Sequence, residues 1–152
     1  MHYFAYGTLL VEDAMRSVAP GARNVGYMRL DDYVMGFGKC SQDGMAGCTL
    51  IPKKGGVTWG IQYELSDEAM AALDAAAHVP EEQWVHLAVT LRDTDGKEVR
   101  STTYHIPGEY RPWAPTDAYV APILLGLTQC PFPEDYKHEM RARIARAQAE
   151  AA

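Results

Sequence analysis

The sequence predicts a single α+β domain over residues 1–152, built on a mainly antiparallel sheet or small open β-barrel with flanking helices. Strand-like runs fill the first two thirds of the chain, and two amphipathic helices end it. No linker is long enough to separate two domains, and 152 residues suffice to bury one core.

The chain opens with an apolar and aromatic run, Tyr3 to Leu10, that is interrupted at Gly7. Such residues favour a strand, and glycine allows backbone angles that a side chain forbids. The apolar spacing from Val11 to Val18 predicts a helix. Gly7 and its neighbours should therefore lie between a strand end and a helix start, where N–H groups can hold a carboxylate or a developing oxyanion. A plain turn is the alternative.

The middle of the chain is predicted to hold strands and one helix. Residues 21–35 are strand-like up to the interruption at Gly36-Phe37-Gly38, and residues 46–51 and 57–65 are expected to pair as a hairpin around a turn at 52–56. Ser66 then caps a helix with acidic residues in its first turn, and Pro80 is expected to end that helix.

The last third is predicted to contain a second hairpin and two helices. Strands over residues 83–91 and 98–106 are joined by a turn rich in Asp and Gly. The first helix, 116–129, should be kinked by Pro122. The second, 134–149, carries apolar residues at i, i+4 and i+8.

Composition excludes several classes of protein. The chain is 47% hydrophobic and 22% charged, as in ordinary soluble proteins, and its net charge of −6 argues against a nucleic-acid partner. No apolar run approaches the roughly 18 residues of a membrane span. Three cysteines without C-x-x-C spacing suggest neither a disulfide framework nor a zinc site, so we expect reduced thiols and a cytoplasmic location.

The polar residues offer few candidates for chemistry. The five histidines lack metal-ligand spacing, so no metal site is predicted, and no serine lies in a G-x-S-x-G elbow. Cys40 in a Gly-rich loop is a candidate thiol nucleophile, although a buried free cysteine is the simpler interpretation. Glu81 and Glu82 follow Pro80, where solvated charge is the usual explanation and a general base is the alternative.

Aromatic residues from four separate elements give a different indication. They are Tyr6, Trp84, Tyr104 and Tyr119. Core packing explains each one alone, because buried hydroxyl and indole N–H groups usually find partners. Together with the glycine loop, they are candidates to line one small-molecule pocket.

At this point the order of motifs resembles the γ-glutamylcyclotransferase family, from Tyr3 to about Ile144. The family's Y-G-S-N-L motif corresponds to Tyr6-Gly7-Thr8-Leu9-Leu10, and its L-D-x-x-E-G-V segment corresponds to residues 73–79. A D-G-K-E hairpin matches residues 95–98, and a P-S-x-x-Y helix start matches residues 115–119. Each motif is loose, but four in the right order are moderately specific.

The resemblance implies a compact barrel-like α+β fold and an acyltransferase or lyase that needs no cofactor. In the family's reaction the α-amine of a γ-glutamyl compound attacks its own γ-carbonyl, which closes 5-oxoproline and expels an amine or amino acid. Carried over, residues 7–10 would supply backbone donors to the glutamyl part, beside Tyr6. Trp84, Tyr104 and Tyr119 fall where the family places pocket tyrosines. A homodimer is a further expectation.

The sequence departs from the family pattern at the position of its catalytic glutamate, which is Ala77 here. Alanine cannot move a proton, and losing a positioned base typically lowers the rate by about two to four orders of magnitude. The chain should therefore be weak or inactive as it stands. Leu9 in place of the motif's Asn, and Trp84 in place of a tyrosine, suggest a less polar or larger substrate.

Three explanations of Ala77 stay open. It is a substitution introduced to trap substrate, or it is natural and Glu81, Glu82 or Asp74 acts as a relocated base, or it is natural and the domain only binds a small molecule. The first two predict an enzyme, and the third predicts a non-catalytic binding domain of the same fold.

Overall fold

The structure, a computed structural model, describes residues 1–150; the last two residues of the predicted domain, 151–152, lie outside the described part. Five strands form a closed barrel in the order β1-β3-β2-β4-β5. The strands are β1 (His2–Ala5), β2 (Arg23–Lys39), β3 (Ala46–Glu64), β4 (Val85–Arg92) and β5 (Glu98–His105). The predicted α+β class is confirmed.

The barrel closes through β1, and in this respect it differs from the open barrel that we expected. β1 pairs antiparallel with β3 and parallel with β5, with Tyr3 opposite Thr102. The hydroxyl of Thr103 donates to the carbonyl of Phe4 at 2.7 Å. On the other side a Cβ on Gly60 would lie 2.2 Å from the carbonyl oxygen of Ala5, so glycine there lets β1 approach β3 closely.

Two predictions about the middle of the chain are wrong. β2 continues through Gly36-Phe37-Gly38, and residues 46–51 and 57–65 do not pair with each other, because both pair with β2 in one long hairpin. The expected turn residues instead form an irregularity opposite Asp32, whose φ is 66°. The Asp32 carboxylate accepts from the Gly55 N–H at 3.0 Å and so satisfies part of the backbone at this bulge.

Four helices flank the barrel. They are α1 (Glu12–Val18), α2 (Asp67–Ala76), α3 (Asp117–Gln129) and α4 (Glu134–Ala149), and a 3-10 turn at Thr8–Leu10 precedes α1. The Ser66 hydroxyl accepts from the Ala69 N–H at 3.0 Å, as predicted for a cap. α2 ends at Ala76, before the predicted stop at Pro80, and α3 continues through Pro122.

The core fills the barrel and continues under α3 and α4. Its largest fully buried side chains include Tyr63, Phe4 and Phe37. α3 approaches the 3-10 turn closely, since a Cβ on Gly126 would lie 2.4 Å from the Cβ of Leu10. All three cysteines are free and buried. Among residues 1–150, no helix combines the length and apolar character needed to cross a membrane.

Candidate active site

A cavity of about 260 Å³ lies where the end of β1 faces the end of α2 and the start of α3. It gathers eight of the residues predicted from sequence, from five parts of the chain: Tyr6, Gly7, Thr8, Leu9, Ala77, Trp84, Tyr104 and Tyr119. The remaining lining residues are Tyr3, Val18, Cys48, Leu73 and Ala76. The glycine loop therefore borders open space and is not filled by side chains.

The glycine loop is held by its own backbone and by one tyrosine. The N–H of Leu10 donates to the carbonyl of Gly7 at 3.1 Å, and the hydroxyl of Tyr63 donates to the carbonyl of Leu9 at 3.1 Å. Within residues 1–150, the N–H of Gly7 donates to no backbone oxygen outside the regular elements. The backbone of Thr8 already forms a hydrogen bond with the Cys48 thiol. The Gly7 N–H is therefore the loop donor that suits an anionic or carbonyl oxygen in the cavity.

Gly7 is required by close packing and not by an unusual φ angle. Its φ is −131°, which any residue can adopt. A Cβ at this position would lie 2.8 Å from the Sγ of Cys48, which is too close for an ordinary contact. Glycine therefore allows the loop to lie directly against β3.

Trp84 and Tyr119 form one wall, and both are fixed to the same residue of β3. The indole Nε1 of Trp84 donates to the carbonyl of Cys48 at 2.9 Å, and the hydroxyl of Tyr119 accepts from the Cys48 N–H at 2.8 Å. A Cβ on Gly47 would lie 2.5 Å from that hydroxyl, so glycine makes room for it. Burial raises the pKa of Tyr119 far above its ordinary value, so the phenol stays protonated.

Tyr6 and Tyr104 form a second part of the cavity lining. The hydroxyl of Tyr6 donates to the backbone carbonyl of Tyr104 at 2.7 Å. The hydroxyl of Tyr104 donates to Oδ1 of Asp74, and Nε2 of His86 lies 2.8 Å from the same oxygen. Burial, followed by the hydrogen bond to Asp74, raises the pKa of Tyr104 well above its ordinary value.

Ala77 lies at the C-terminal cap of α2, half-buried, and borders the cavity. Its N–H donates to the carbonyl of Leu73 at 3.0 Å. His78 follows with a φ of 54° and turns the chain away from the helix. The position therefore presents a methyl group to the cavity where the family motif has a carboxylate.

Five candidate residues do not border the cavity: Leu10, Cys40, Asp74, Glu81 and Glu82. The Glu81 and Glu82 side chains are exposed, and a Glu81 oxygen lies 3.6 Å from Nδ1 of His78. Leu10 is 2% exposed and packs under α3. Glu81 and Glu82 would therefore have to act from outside the cavity, whereas Asp74 is connected to it through Tyr104.

Sequence reasoning missed Cys48, which borders the cavity, and considered Cys40, which does not. Burial raises the pKa of Cys48 to about 12 and that of Cys40 to about 11, so both are protonated thiols. The alternation within the strand predicted for residues 46–51 was the available signal, because it places residue 48 on the same face as the buried Leu50. Nothing in the sequence distinguished the other lining residues from ordinary core residues; they are Tyr3, Val18, Leu73 and Ala76.

Among residues 1–150, no Lys, Arg or His side chain lines the cavity. An anionic group bound there would depend on backbone N–H donors and hydroxyl groups. Among residues 1–150, no group of three or more His, Cys, Asp or Glu side chains is placed to hold a metal ion.

Comparisons with known proteins give a consistent result. The sequence model of the AIG2-like family matches residues 57–140. Gamma-glutamylcyclotransferases from Bos taurus and Homo sapiens are each 26% identical over 145 residues, which cover 92% of this chain and 77% of the relative. A solved gamma-glutamyl cyclotransferase structure superposes with a TM-score of 0.85 at 24% identity and covers 93% of this chain and 86% of that one.

The structural match extends over the barrel and the flanking helices and shows a shared fold. The sequence match covers more than half of the chain, including Ala77, Trp84, Tyr104 and Tyr119. The chain therefore belongs to the AIG2-like family, with gamma-glutamylcyclotransferases as distant relatives.

Proposed function

We propose that this chain binds a γ-glutamyl amine or γ-glutamyl amino acid in the cavity and converts it slowly to 5-oxoproline and a free amine or amino acid. One observation carries the proposal: the glycine loop, the aromatic residues and position 77 all border a single cavity of about 260 Å³. The distant relatives named gamma-glutamylcyclotransferases support it.

The reaction makes modest demands on the protein. The nucleophile and the carbonyl belong to the same substrate, so holding the glutamyl chain curled replaces an encounter of two molecules. Two tasks remain: an ammonium group with a pKa of about 8 must lose a proton, and the tetrahedral oxyanion must be stabilised. Neither task requires a cofactor, and we propose none.

Residues of the cavity fit the binding task. The Gly7 N–H is a candidate donor to a glutamyl oxygen, and the hydroxyls of Tyr6 and Tyr119 offer further polar contacts. The side chains of Leu9 and Trp84 make part of the cavity surface apolar. We therefore expect an uncharged, apolar amine as the leaving group in preference to an amino acid, whose carboxylate would find no cationic partner.

Ala77 makes binding without turnover the second candidate function. In its favour, no carboxylate side chain from the described part of the chain, residues 1–150, borders the cavity. One assay distinguishes between the explanations of Ala77. An introduced substitution or a relocated base predicts an enzyme, whereas a binding domain predicts ligand affinity without turnover. A cytoplasmic location and a homodimer stay predictions.

The test combines binding and turnover on one substrate panel of γ-glutamyl alkylamides and γ-glutamyl amino acids. Ligands are first ranked by the rise in melting temperature of the unaltered chain. Release of 5-oxoproline is then measured for the unaltered chain and for Ala77→Glu. Stabilisation together with release by Ala77→Glu supports the proposed enzyme. Stabilisation without release by either protein supports the binding domain, and no stabilisation and no release contradict both.

A further inference from the structure

A hydrogen-bonded network beside the cavity contains the carboxylate of Asp74, one of the three residues considered as a relocated base. Asp74 lies in α2, one helical turn before Ala77, so the two residues are neighbours on the same side of the helix. Its Oδ1 accepts from the hydroxyl of Tyr104 and lies 2.8 Å from Nε2 of His86. The network therefore joins α2 to two neighbouring strands of the barrel.

Tyr104 connects this carboxylate to the cavity. Tyr104 borders the cavity and Asp74 does not, so the phenol lies between the carboxylate and any bound molecule. Because the hydroxyl donates its one proton to Asp74, its oxygen keeps lone pairs that can accept a hydrogen bond from an ammonium group. A proton can thus leave the cavity in two short transfers.

We propose that Asp74, acting through Tyr104, is the proton acceptor that replaces the glutamate absent at position 77. The inference rests on the proposed cyclotransferase function. Tyr104 is the catalytic residue, since it would touch the substrate amine. Asp74 acts through it, and His86 positions the Asp74 carboxylate.

The step balances without a further reactant. One ammonium N–H bond breaks and its proton passes to the Tyr104 oxygen, while the Tyr104 O–H proton passes to Asp74. The freed amine lone pair then forms a C–N bond to the γ-carbonyl carbon, and the carbonyl electron pair moves to oxygen. When the intermediate collapses, the bond to the leaving nitrogen breaks. That nitrogen receives the proton held by Asp74 and a second one from the attacking nitrogen.

The surroundings of Tyr104 favour a relay over a stable tyrosinate. The titratable groups packed around its ring are Asp74 from α2, His86 from β4 and Tyr3 from β1, with ring centroids 5.5 Å and 5.1 Å away for His86 and Tyr3. Burial and the bond to Asp74 keep the pKa of the phenol high, so Tyr104 passes a proton on and does not remain ionised.

The first test compares the unaltered chain with Asp74→Asn over a range of pH, using the γ-glutamyl alkylamide that most stabilises the chain. At pH 7 we expect the variant to lower kcat roughly 10- to 100-fold with little change in KM. The deficit should shrink as the pH rises past the amine pKa of about 8, because the substrate then loses its proton to solvent. A purely structural role of Asp74 would not be relieved by pH.

The second test measures whether a glutamate introduced at position 77 makes proton transfer through Tyr104 and Asp74 unnecessary. In the Ala77→Glu background, Asp74→Asn should lower kcat less than about threefold, because the carboxylate introduced at position 77 would take the proton without Tyr104. Glu68→Gln, at an exposed carboxylate in the first turn of α2, is the matched control and should change nothing in either background. Melting temperatures of all variants show that each one is folded.

Several outcomes would overturn the inference. One is an equal loss from Asp74→Asn in both backgrounds and at every pH; another is a loss caused by Glu81→Gln or Glu82→Gln in place of Asp74→Asn. Release by Ala77→Glu with none by the unaltered chain would also overturn it, while leaving the proposed function standing. If neither protein releases 5-oxoproline, the proposed cyclotransferase fails as well.

Discussion

The two sides of the cavity differ in whether backbone groups or side chains supply their proposed functional contacts. The glycine-loop side, residues 6–9, borders the cavity with backbone as well as side chains, and two of its motif positions differ from the family pattern. On the helix side, the position of the family's glutamate is alanine. Contacts made by backbone groups depend less on side-chain identity, whereas proton transfer can be lost through one residue.

A carboxylate at position 77 should change the rate of 5-oxoproline release more than any other substitution considered. We expect 5-oxoproline release by the double variant Ala77→Glu with Asp74→Asn to exceed release by Asp74→Asn alone by about two to four orders of magnitude at pH 7, because only the former has a proton acceptor at the cavity. Initial rates at saturating substrate measure it.

The matched control for that comparison is Ala75→Glu with Asp74→Asn. Ala75 is exposed on α2 and does not border the cavity, so a carboxylate there adds the same charge without reaching the substrate. Equal gains from a glutamate at either position, 75 or 77, would show that added charge, and not a positioned base, raises the rate.

Gly7→Ala tests the loop side. The new Cβ would lie 2.8 Å from the Sγ of Cys48, so the loop or β3 must shift. We expect the free energy of unfolding in urea to fall by about 1–3 kcal/mol and ligand affinity to fall as well. Adding Cys48→Ala removes the clashing sulfur and should recover part of both; no recovery would contradict the assigned contact.

Tyr119→Phe removes the acceptor for the Cys48 N–H and should have a smaller effect. We expect a loss of about 1 kcal/mol in the free energy of unfolding, the usual net value of one hydrogen bond. Tyr33→Phe, on the half-buried tyrosine of β2, is the control for loss of a phenol hydroxyl outside the cavity. Equal losses in the two variants would show that the bond to Cys48 adds nothing.

The smallest expected effect concerns pH and lies outside both sides of the cavity. Burial lowers the pKa of His105, so the unfolded chain binds a proton more readily than the folded one. Its contribution to stability is therefore present above the ordinary pKa of about 6.5 and is lost as the pH falls below it. Urea unfolding at pH 7.5 and 5.5 should show a smaller decrease for His105→Gln than for the unaltered chain.

The fold class could be predicted from local residue patterns along the chain, whereas the pairing of the strands could not. Ser66 capped its helix as expected, since capping depends on neighbouring residues. The glycines of β2 predicted an interruption, and residues 52–56 predicted a turn, yet both segments are part of long strands. Local sequence signals do not show that β2 and β3 pair with each other along their lengths. Closure through β1 likewise depends on contacts such as Thr103 with Phe4, far apart in sequence.

The motifs selected residues that lie together in the fold, since residues 7–9, Ala77, Trp84, Tyr104 and Tyr119 border one cavity. Their roles in binding and catalysis stay predictions. Cys48 and the bond from Tyr104 to Asp74 were not predicted, because they depend on which side chains the barrel brings together. Glu81 and Glu82 looked suitable by chain position alone, yet their side chains are exposed and do not border the cavity.

We expect the loop side of the cavity to bind a γ-glutamyl compound even though position 77 carries no carboxylate. Calorimetric titration of the unaltered chain with γ-glutamyl butylamide tests it most directly. We predict saturable one-to-one binding that Gly7→Ala weakens and that Ala75→Glu leaves unchanged. Absence of saturable heat, or equal affinity in the Gly7→Ala protein, would contradict the claim.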